Sequence, residues 1–492
     1  MARRWRAEHF SVWLIPFLHG AAIMAEALRT KVLVVGGGPG GYVAAIRAGQ
    51  LGLDTTLVEA DRLGGTCLIR GCIPSKAMIH VAGEYETMQR AAKKPRHGIA
   101  LSSPPSLDMP ELVRWKEGVV NKLSNGVAAL CKRAKVRVLS GWAQFSDAKT
   151  CTIEGKDNVT VTADHVVLAN GSVSSELPFL RFGGPVISSS EALSLDAVPK
   201  KLVVIGAGYI GLELGIALRK MGSEVTVVEA LDRILPLFDV ELSAPVKKWL
   251  GRNGVTVHLG ATAKALVSEK GEHALAIETA GGRTEHLPAD KILVTVGRRP
   301  LTEGWGLENM AVEMNGRFVR VDDQCRTSMK DVWAIGDLVG EPLLAHKGMA
   351  QGEMVAEIIA GQRRKFDPVA IAAVCFTEPE IVSAGVAPGD PATVDTEIMS
   401  AMFPFAANGR ALTMDAGDDG GFVRVLARKD DHRILGIQAV GGHVSELAGE
   451  FALALEMGAR LEDIAGTIHV HPTLGEAFHE TALRTLGHAL HI

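Results

Sequence analysis

Two stretches of the chain share one order of apolar and polar positions. Residues 32–35 (VLVV) and 202–205 (LVVI) are short unbroken apolar runs, as expected for strands buried on both faces of a sheet. Each gives way to a glycine-rich turn, then to a helix-like stretch with small residues, then to a second apolar run ending in an acid. The pattern predicts a strand–helix–strand unit twice over. No apolar run reaches the roughly 18–20 residues of a membrane-spanning helix. Residues 10–24 come nearest, behind Arg3, Arg4 and Arg6, but Pro16, His19 and Gly20 interrupt them. Residues 1–23 are expected to be an extension outside the fold: either a start placed upstream of Met24 or a weak targeting segment.

The glycines between the runs follow G-x-G-x-x-G in both copies: Gly36, Gly38 and Gly41, then Gly206, Gly208 and Gly211. The first glycine of such a turn allows the tight bend, the second lets a pyrophosphate approach the backbone, and the third lets helix and strand pack closely. The closing acids, Glu59 and Glu229, each lie 18 residues after the third glycine, where a carboxylate accepts hydrogen bonds from an adenosine ribose. One such turn is weak evidence. Two, with the same strand, helix and acid spacing, predict two Rossmann-like dinucleotide sites in an α/β protein. Glu229 would repel a ribose 2′-phosphate, so the second site is expected to take NAD in spite of nearby Arg233.

Composition narrows the picture. A length of 492 residues suits about three domains, and 47% apolar with 22% charged residues suits large cores. A net charge of −4 argues against a nucleic-acid partner, which needs a basic footprint. The six cysteines are too few and scattered for a secreted disulfide framework. Only Cys67 and Cys72 are close, in GGTCLIRGCIPSK (64–76). Five residues of regular helix would turn them apart by roughly 140°. A disulfide therefore requires a distorted helix, which Gly71 and Pro74 permit. Such a short-loop disulfide is prone to exchange, and Lys76, four residues after Cys72, would favour a thiolate.

This segment resembles the redox site of the flavin-dependent pyridine nucleotide disulfide oxidoreductases, with Ile69 and Arg70 where asparagine and a small aliphatic residue are usual. The resemblance covers the chain from about residue 30 to its end. It implies FAD at the first dinucleotide site and NAD at the second, Cys67 as the interchange thiol, and Cys72 as the thiol facing the flavin beside Lys76. VVLANGS (166–172), with Asn170 for a usual threonine, and VGRRP (296–300), with Gly297 at the NAD site, resemble the segments linking the two domains. TSMKDVWAIGDLVG (327–340) resembles the second FAD motif, with Asp337 on a ribityl hydroxyl, and Ala345 in LAHKGMAQGE follows along the flavin. Glu213 matches a glutamate near the nicotinamide. The implied domains are 28–172 (FAD), 173–297 (NAD), 298–366 (FAD, second part) and 367–492, an α+β dimerisation domain. The cysteines at 131, 151, 325 and 375 are expected to be plain core.

The last segment, TIHVHPTLGEAFHE (467–480), reads first as a helix start, because Thr473 and Glu476 fit a capping box. By resemblance, Glu476 orients His471, which acts as base towards a dithiol, and His469 is structural. The base reaches the partner's site, so the active unit is a homodimer. Glu229 disfavours an NADPH-linked glutathione reductase, the ending GHALHI lacks a mercuric reductase's cysteine pair, and two redox cysteines disfavour a flavin oxidase. A purely structural subunit would not need Cys67, Cys72 or His471. The resemblance therefore implies an enzyme of the dihydrolipoyl dehydrogenase type, expected to be cytoplasmic and to act on the lipoyl-bearing acyltransferase subunit of a 2-oxo-acid dehydrogenase complex. FAANGRA (405–411) and the final ALRTLGHALHI resemble the branched-chain forms.

Overall fold

The computed structural model describes residues 26–269 and 271–492; the expected extension over residues 1–23 lies outside them. The first sheet is centred on strand Glu26–Val35, which pairs in parallel with Thr55–Glu59 on one side and Val159–Leu168 on the other. Val32 to Val35 are at most 5% exposed, which is why their run is unbroken rather than alternating. Arg137–Phe145 flanks Thr55–Glu59, and the short strand Val332–Ala334 flanks Val159–Leu168. The first helix of the repeat, α1 (Pro39–Gln50), is followed by α2 (Gly65–Arg70), α3 (Cys72–Lys93) and α4 (Met109–Arg133).

The second repeat builds its own parallel sheet, in the order Thr256–Leu259, Glu224–Glu229, Lys201–Ile205, Lys291–Val294, Val186–Ile187. Its crossover helix is α5 (Tyr209–Lys220). Where the chain passes between the two sheets, Ser172–Ser174 on the way out pairs antiparallel with Arg298–Pro300 on the way back. The returning chain supplies Val332–Ala334 and α6 (Ala345–Ile359), which lies along α1. These two helices approach through glycine: a side chain at Gly352 would overlap the carbonyl oxygen of Gly40.

A third sheet is antiparallel, in the order Ala373–Cys375, Glu380–Gly385, Ile434–Gly441, Phe422–Arg428, Ile398–Pro404. The last helix, α7 (Glu476–Thr485), packs on it with Phe478 edge-on to Phe451 at 5.1 Å. Among the described residues no helix is long and apolar enough to cross a membrane.

The glycine contacts make a paired prediction. Gly352→Ala must force α1 and α6 apart and is expected to cost about 1–3 kcal/mol. Gly83→Ala, inside α3 where an added methyl meets nothing within 4 Å, is expected to gain about 0.4–1 kcal/mol by restricting the unfolded chain. Denaturant unfolding of both variants checks the signs. Equal effects would show that helix propensity, not the close approach, governs Gly352.

Candidate active site

The two glycine turns are near copies. Gly36 and Gly206 have φ of +101° and +99°, a region that side chains other than glycine's rarely enter. A Cβ on Gly36 would strike Ala169 O, one on Gly206 would crowd Thr295 O, and those on Gly41 and Gly211 would strike the carbonyls of Gly36 and Gly206. The protein's own packing therefore demands these four glycines. Gly38 and Gly208 differ: a Cβ would come no closer than 3.9 Å to anything at Gly38, and would meet nothing within 4 Å at Gly208. Glycine there keeps clear the space in front of a helix N-terminus. Neither α1 nor α5 has a side-chain cap or an acid in its first turn, so free N–H groups and the helix dipole face that space, as a pyrophosphate requires.

The two acids have a second job that the motif alone did not reveal. Glu59 accepts from Gly37 N (2.7 Å) and Asp61 N (2.8 Å), and Glu229 from Ala207 N (2.7 Å) and Leu231 N (2.8 Å). Each carboxylate braces its own glycine turn and keeps a second lone pair per oxygen for a ribose. Burial raises the Glu59 pKa above the usual carboxylate value, against the Gly37 N–H and the Arg70 charge. Arg233 donates to Pro236 O at 2.7 Å, so its guanidinium is engaged within its own loop.

A flavin dinucleotide fits the first site on the structure's own terms. Beside Gly36 lies a pocket lined by Glu59, Gly141, Trp142, Ala143 and Asn170. The Asn170 side-chain oxygen is buried there without a partner, and adenosine brings amine and hydroxyl donors to such an acceptor. Further along, Asp337 accepts from Ser172 Oγ (2.5 Å), which accepts from Arg298 Nε (2.8 Å), while Arg298 Nη2 donates to Ser172 O (2.6 Å). Ala345 opens α6, again with no side-chain cap or first-turn acid. Gly297, φ +118°, immediately precedes Arg298. Ser172 and Arg298 lie in segments marked from sequence, but their mutual bond has no signature in spacing.

Between the two turns the helix breaks where the sulfurs need it to. α2 ends at Gly71 (φ −137°, ψ −116°) and α3 begins at Cys72. A Cβ on Gly71 would crowd Thr66 O at 2.8 Å, so the kink admits only glycine without rearrangement. Cys67 and Cys72 are free thiols, and each shifts the other's titration in opposite directions. The Cys72 sulfur, then burial, pushes Cys67 far above the usual thiol range. The Cys67 sulfur, with the Lys76 charge, brings Cys72 down to about 7 against burial and Glu213. Lys76 Nζ lies 2.8 Å from Glu213 Oε2, and the buried Glu213 accepts from Phe376 N at 2.9 Å through its other oxygen. Lys76, expected beside the flavin, thus has a carboxylate as its direct partner. The two departures do not disturb the sulfurs: Ile69 is buried and Arg70 pairs with Asp61.

At the far end of the chain His471 Nδ1 is 2.9 Å from Glu476 Oε1, and Glu476 Oε2 accepts from Thr473 N at 2.8 Å. The expected capping box is only half made. The helix starts at Glu476 with Gly475 as its cap residue, and the Thr473 hydroxyl donates to Val470 O (2.7 Å). Glu476 is drawn that way because its two oxygens serve the histidine and the loop together. Burial would raise its pKa, but the Thr473 N–H and His471 outweigh it and leave the carboxyl below its ordinary value. The His471 ring is 80% exposed, and among the described residues none of its hydrogen bonds reaches Cys67 or Cys72. His469 is spent on Glu450 and Thr467 O, and the other four cysteines are buried.

The shifted thiol gives a pH test. In the reduced enzyme, alkylation at Cys72 should rise through a midpoint near its pKa of about 7, slow below it where the sulfur is protonated and fast above it. Lys76→Met should move the midpoint upward. Iodoacetamide labelling read by peptide mass spectrometry measures both, and an unmoved midpoint would remove Lys76 from the account.

Comparison with known proteins agrees with this geometry. Residues 30–352 match the pyridine nucleotide-disulphide oxidoreductase family model, and residues 371–482 that family's dimerisation domain. The dihydrolipoyl dehydrogenase of Pseudomonas aeruginosa is 56% identical, covering 95% of this chain and all of that one. Dihydrolipoyl dehydrogenase 2 of Haloarcula marismortui is 44% identical over 94% of this chain and 98% of its own. Among solved structures, LpdA from Mycobacterium tuberculosis aligns with a TM-score of 0.84 at 26% identity, over 92% of this chain and 99% of that one. The chain therefore belongs to the pyridine nucleotide-disulphide oxidoreductases and, within them, to the dihydrolipoyl dehydrogenases.

Proposed function

We propose that the enzyme oxidises a dihydrolipoyl group and passes its electrons to NAD+, with Cys67 and Cys72 as the exchanging pair. The observation that carries this reading is a pair of free thiols, Cys67 and Cys72, on either side of a helix break, with the Lys76–Glu213 pair one turn on, between two uncapped dinucleotide turns. In the oxidised enzyme the two sulfurs form a disulfide. The partner subunit's His471, held through Nδ1 by Glu476, takes a proton from one thiol of the dihydrolipoyl arm. The thiolate so formed attacks Cys67 Sγ, making a mixed disulfide and releasing Cys72 as thiolate. The arm's second sulfur then attacks the first, closing the lipoyl disulfide and releasing Cys67. Of the two protons lost by the arm, one goes to Cys67 and the other leaves through His471. When bound, the flavin supplies a two-electron acceptor for the reduced pair and the nicotinamide a final hydride acceptor.

A composite site across the dimer would suit a base that is exposed in the single chain and, among the described residues, makes no hydrogen bond to its own cysteines. The arm would be carried by the acyltransferase subunit of a cytoplasmic 2-oxo-acid dehydrogenase complex. The resemblance of segments 405–411 and 482–492 to the branched-chain forms favours that complex.

Anaerobic turnover of dihydrolipoamide with NAD+, beside glutathione disulfide with NADPH, tests the reading. NADH formation in the first assay is expected, falling at least about a thousandfold in Cys72→Ser and about 10²–10⁴-fold in His471→Gln. Activity confined to the second assay would overturn both the substrate and the nucleotide. Separately, Cys67→Ser should keep a titratable Cys72 while abolishing exchange with the dithiol, as followed by mixed-disulfide trapping.

A further inference from the structure

The NAD turn is not held by its own domain alone. Residues 230–238 leave Glu229, the acid that braces the turn, and run to Asp239. Within that loop Leu231 N bonds Glu229 Oε1 (2.8 Å) and Leu235 N bonds Ala207 O (2.9 Å). Leu235 has φ +47°, a left-handed backbone that leucine adopts only where its surroundings impose it. The far end of the loop is gripped from the dimerisation domain. Arg424, on strand Phe422–Arg428 and 2% exposed, donates from Nη1 to Glu241 Oε2 (2.6 Å) and from Nη2 to Asp239 Oδ2. Its Nε donates to Gln438 Oε1 at 3.0 Å, the residue paired with it on the next strand. Asp239 caps helix Val240–Arg252 with its other oxygen, accepting from Glu241 N (2.7 Å) and Leu242 N (3.3 Å).

All three guanidinium nitrogens are therefore engaged, and an arginine cannot shed its charge to escape burial. An ion pair holding only one domain to another would not need to end on the residue where the nucleotide loop ends. We propose that Arg424 is a positioning residue for NAD+: from the dimerisation domain, it fixes the loop that completes the adenosine side of the second dinucleotide site, touching no nucleotide itself. The proposal rests on the reading of that site as the NAD site. A further contact holds Gln438 in turn: its Nε2 donates to Val386 O at 2.6 Å.

The test uses the flavin-loaded dimer and separates the two half-reactions. Arg424→Gln removes the fork. Asp239→Asn removes one of its two carboxylate partners, the one at the loop's end, while keeping a good helix cap, so it remains informative if the first variant folds poorly. In both, the KM for NAD+ should rise about tenfold, while the rate of flavin reduction by dihydrolipoamide without NAD+ stays at the parent value. Arg424→Lys should recover part of the loss. An unchanged KM in either folded variant would overturn the proposal. So would an equal fall in both half-reactions, which would mark Arg424 as a general structural tie. A parent enzyme that reduces its flavin with dihydrolipoamide but makes no NADH would instead sink the reading of the second site as an NAD site.

Discussion

The contact between Lys76 and Glu213 is the one on which the rest of the site depends. Glu213 is nearly inaccessible, and burying a carboxylate is costly unless it is paired and hydrogen-bonded. Lys76 supplies the cation, and Phe376 N satisfies the other oxygen. Three parts of the chain meet at this pair: the helix behind the cysteines, the helix of the second dinucleotide turn, and the first strand of the third sheet with the residues that follow it. The same ammonium lowers the Cys72 pKa. Removing one partner of a buried pair typically costs about 3–5 kcal/mol, so the geometry of the sulfurs and the docking of the domains are not separable. A change that loosened the domains would also alter the chemistry.

The glycine turns show how packing and ligand demands can be told apart. Four of the six glycines are fixed by collisions with the protein's own carbonyls, and would be needed in a protein that bound nothing. The middle glycine of each turn is not. Its side of the backbone is open, so only something outside the chain explains why it lacks a side chain. The helix beginning at Ala345, again with no side-chain cap, repeats the logic without a glycine motif.

Much of this was legible in the chain itself, and the reason is locality. A buried parallel strand, a tight turn and a closing acid lie within thirty residues of one another, so their pattern survives in linear order. Gly71 and Pro74 likewise announced the broken helix between the cysteines. What spacing could not convey were partners far apart in the chain: Glu213 for Lys76, Ser172 and Arg298 around Asp337, and the carboxylates around Arg424. Thr473 and Glu476 had the spacing of a capping box, but the Thr473 hydroxyl turns to Val470 O instead, leaving only the glutamate's half of the box. The acids Glu59 and Glu229 were read as ligand groups, and their bracing of the turns went unseen because the backbone donors next to them carry no residue code.

The antiparallel pairing of Ser172–Ser174 with Arg298–Pro300 has a consequence for how such enzymes change. Chain exit and chain return lie side by side, so everything between them is attached at a single stalk. Segments joined through adjacent ends are the ones that tolerate excision and replacement. The nicotinamide half is therefore a cassette in its covalent connections alone: a replacement of similar span would cut no strand that walls the flavin, but it would have to bring its own partners for Lys76 and Arg424.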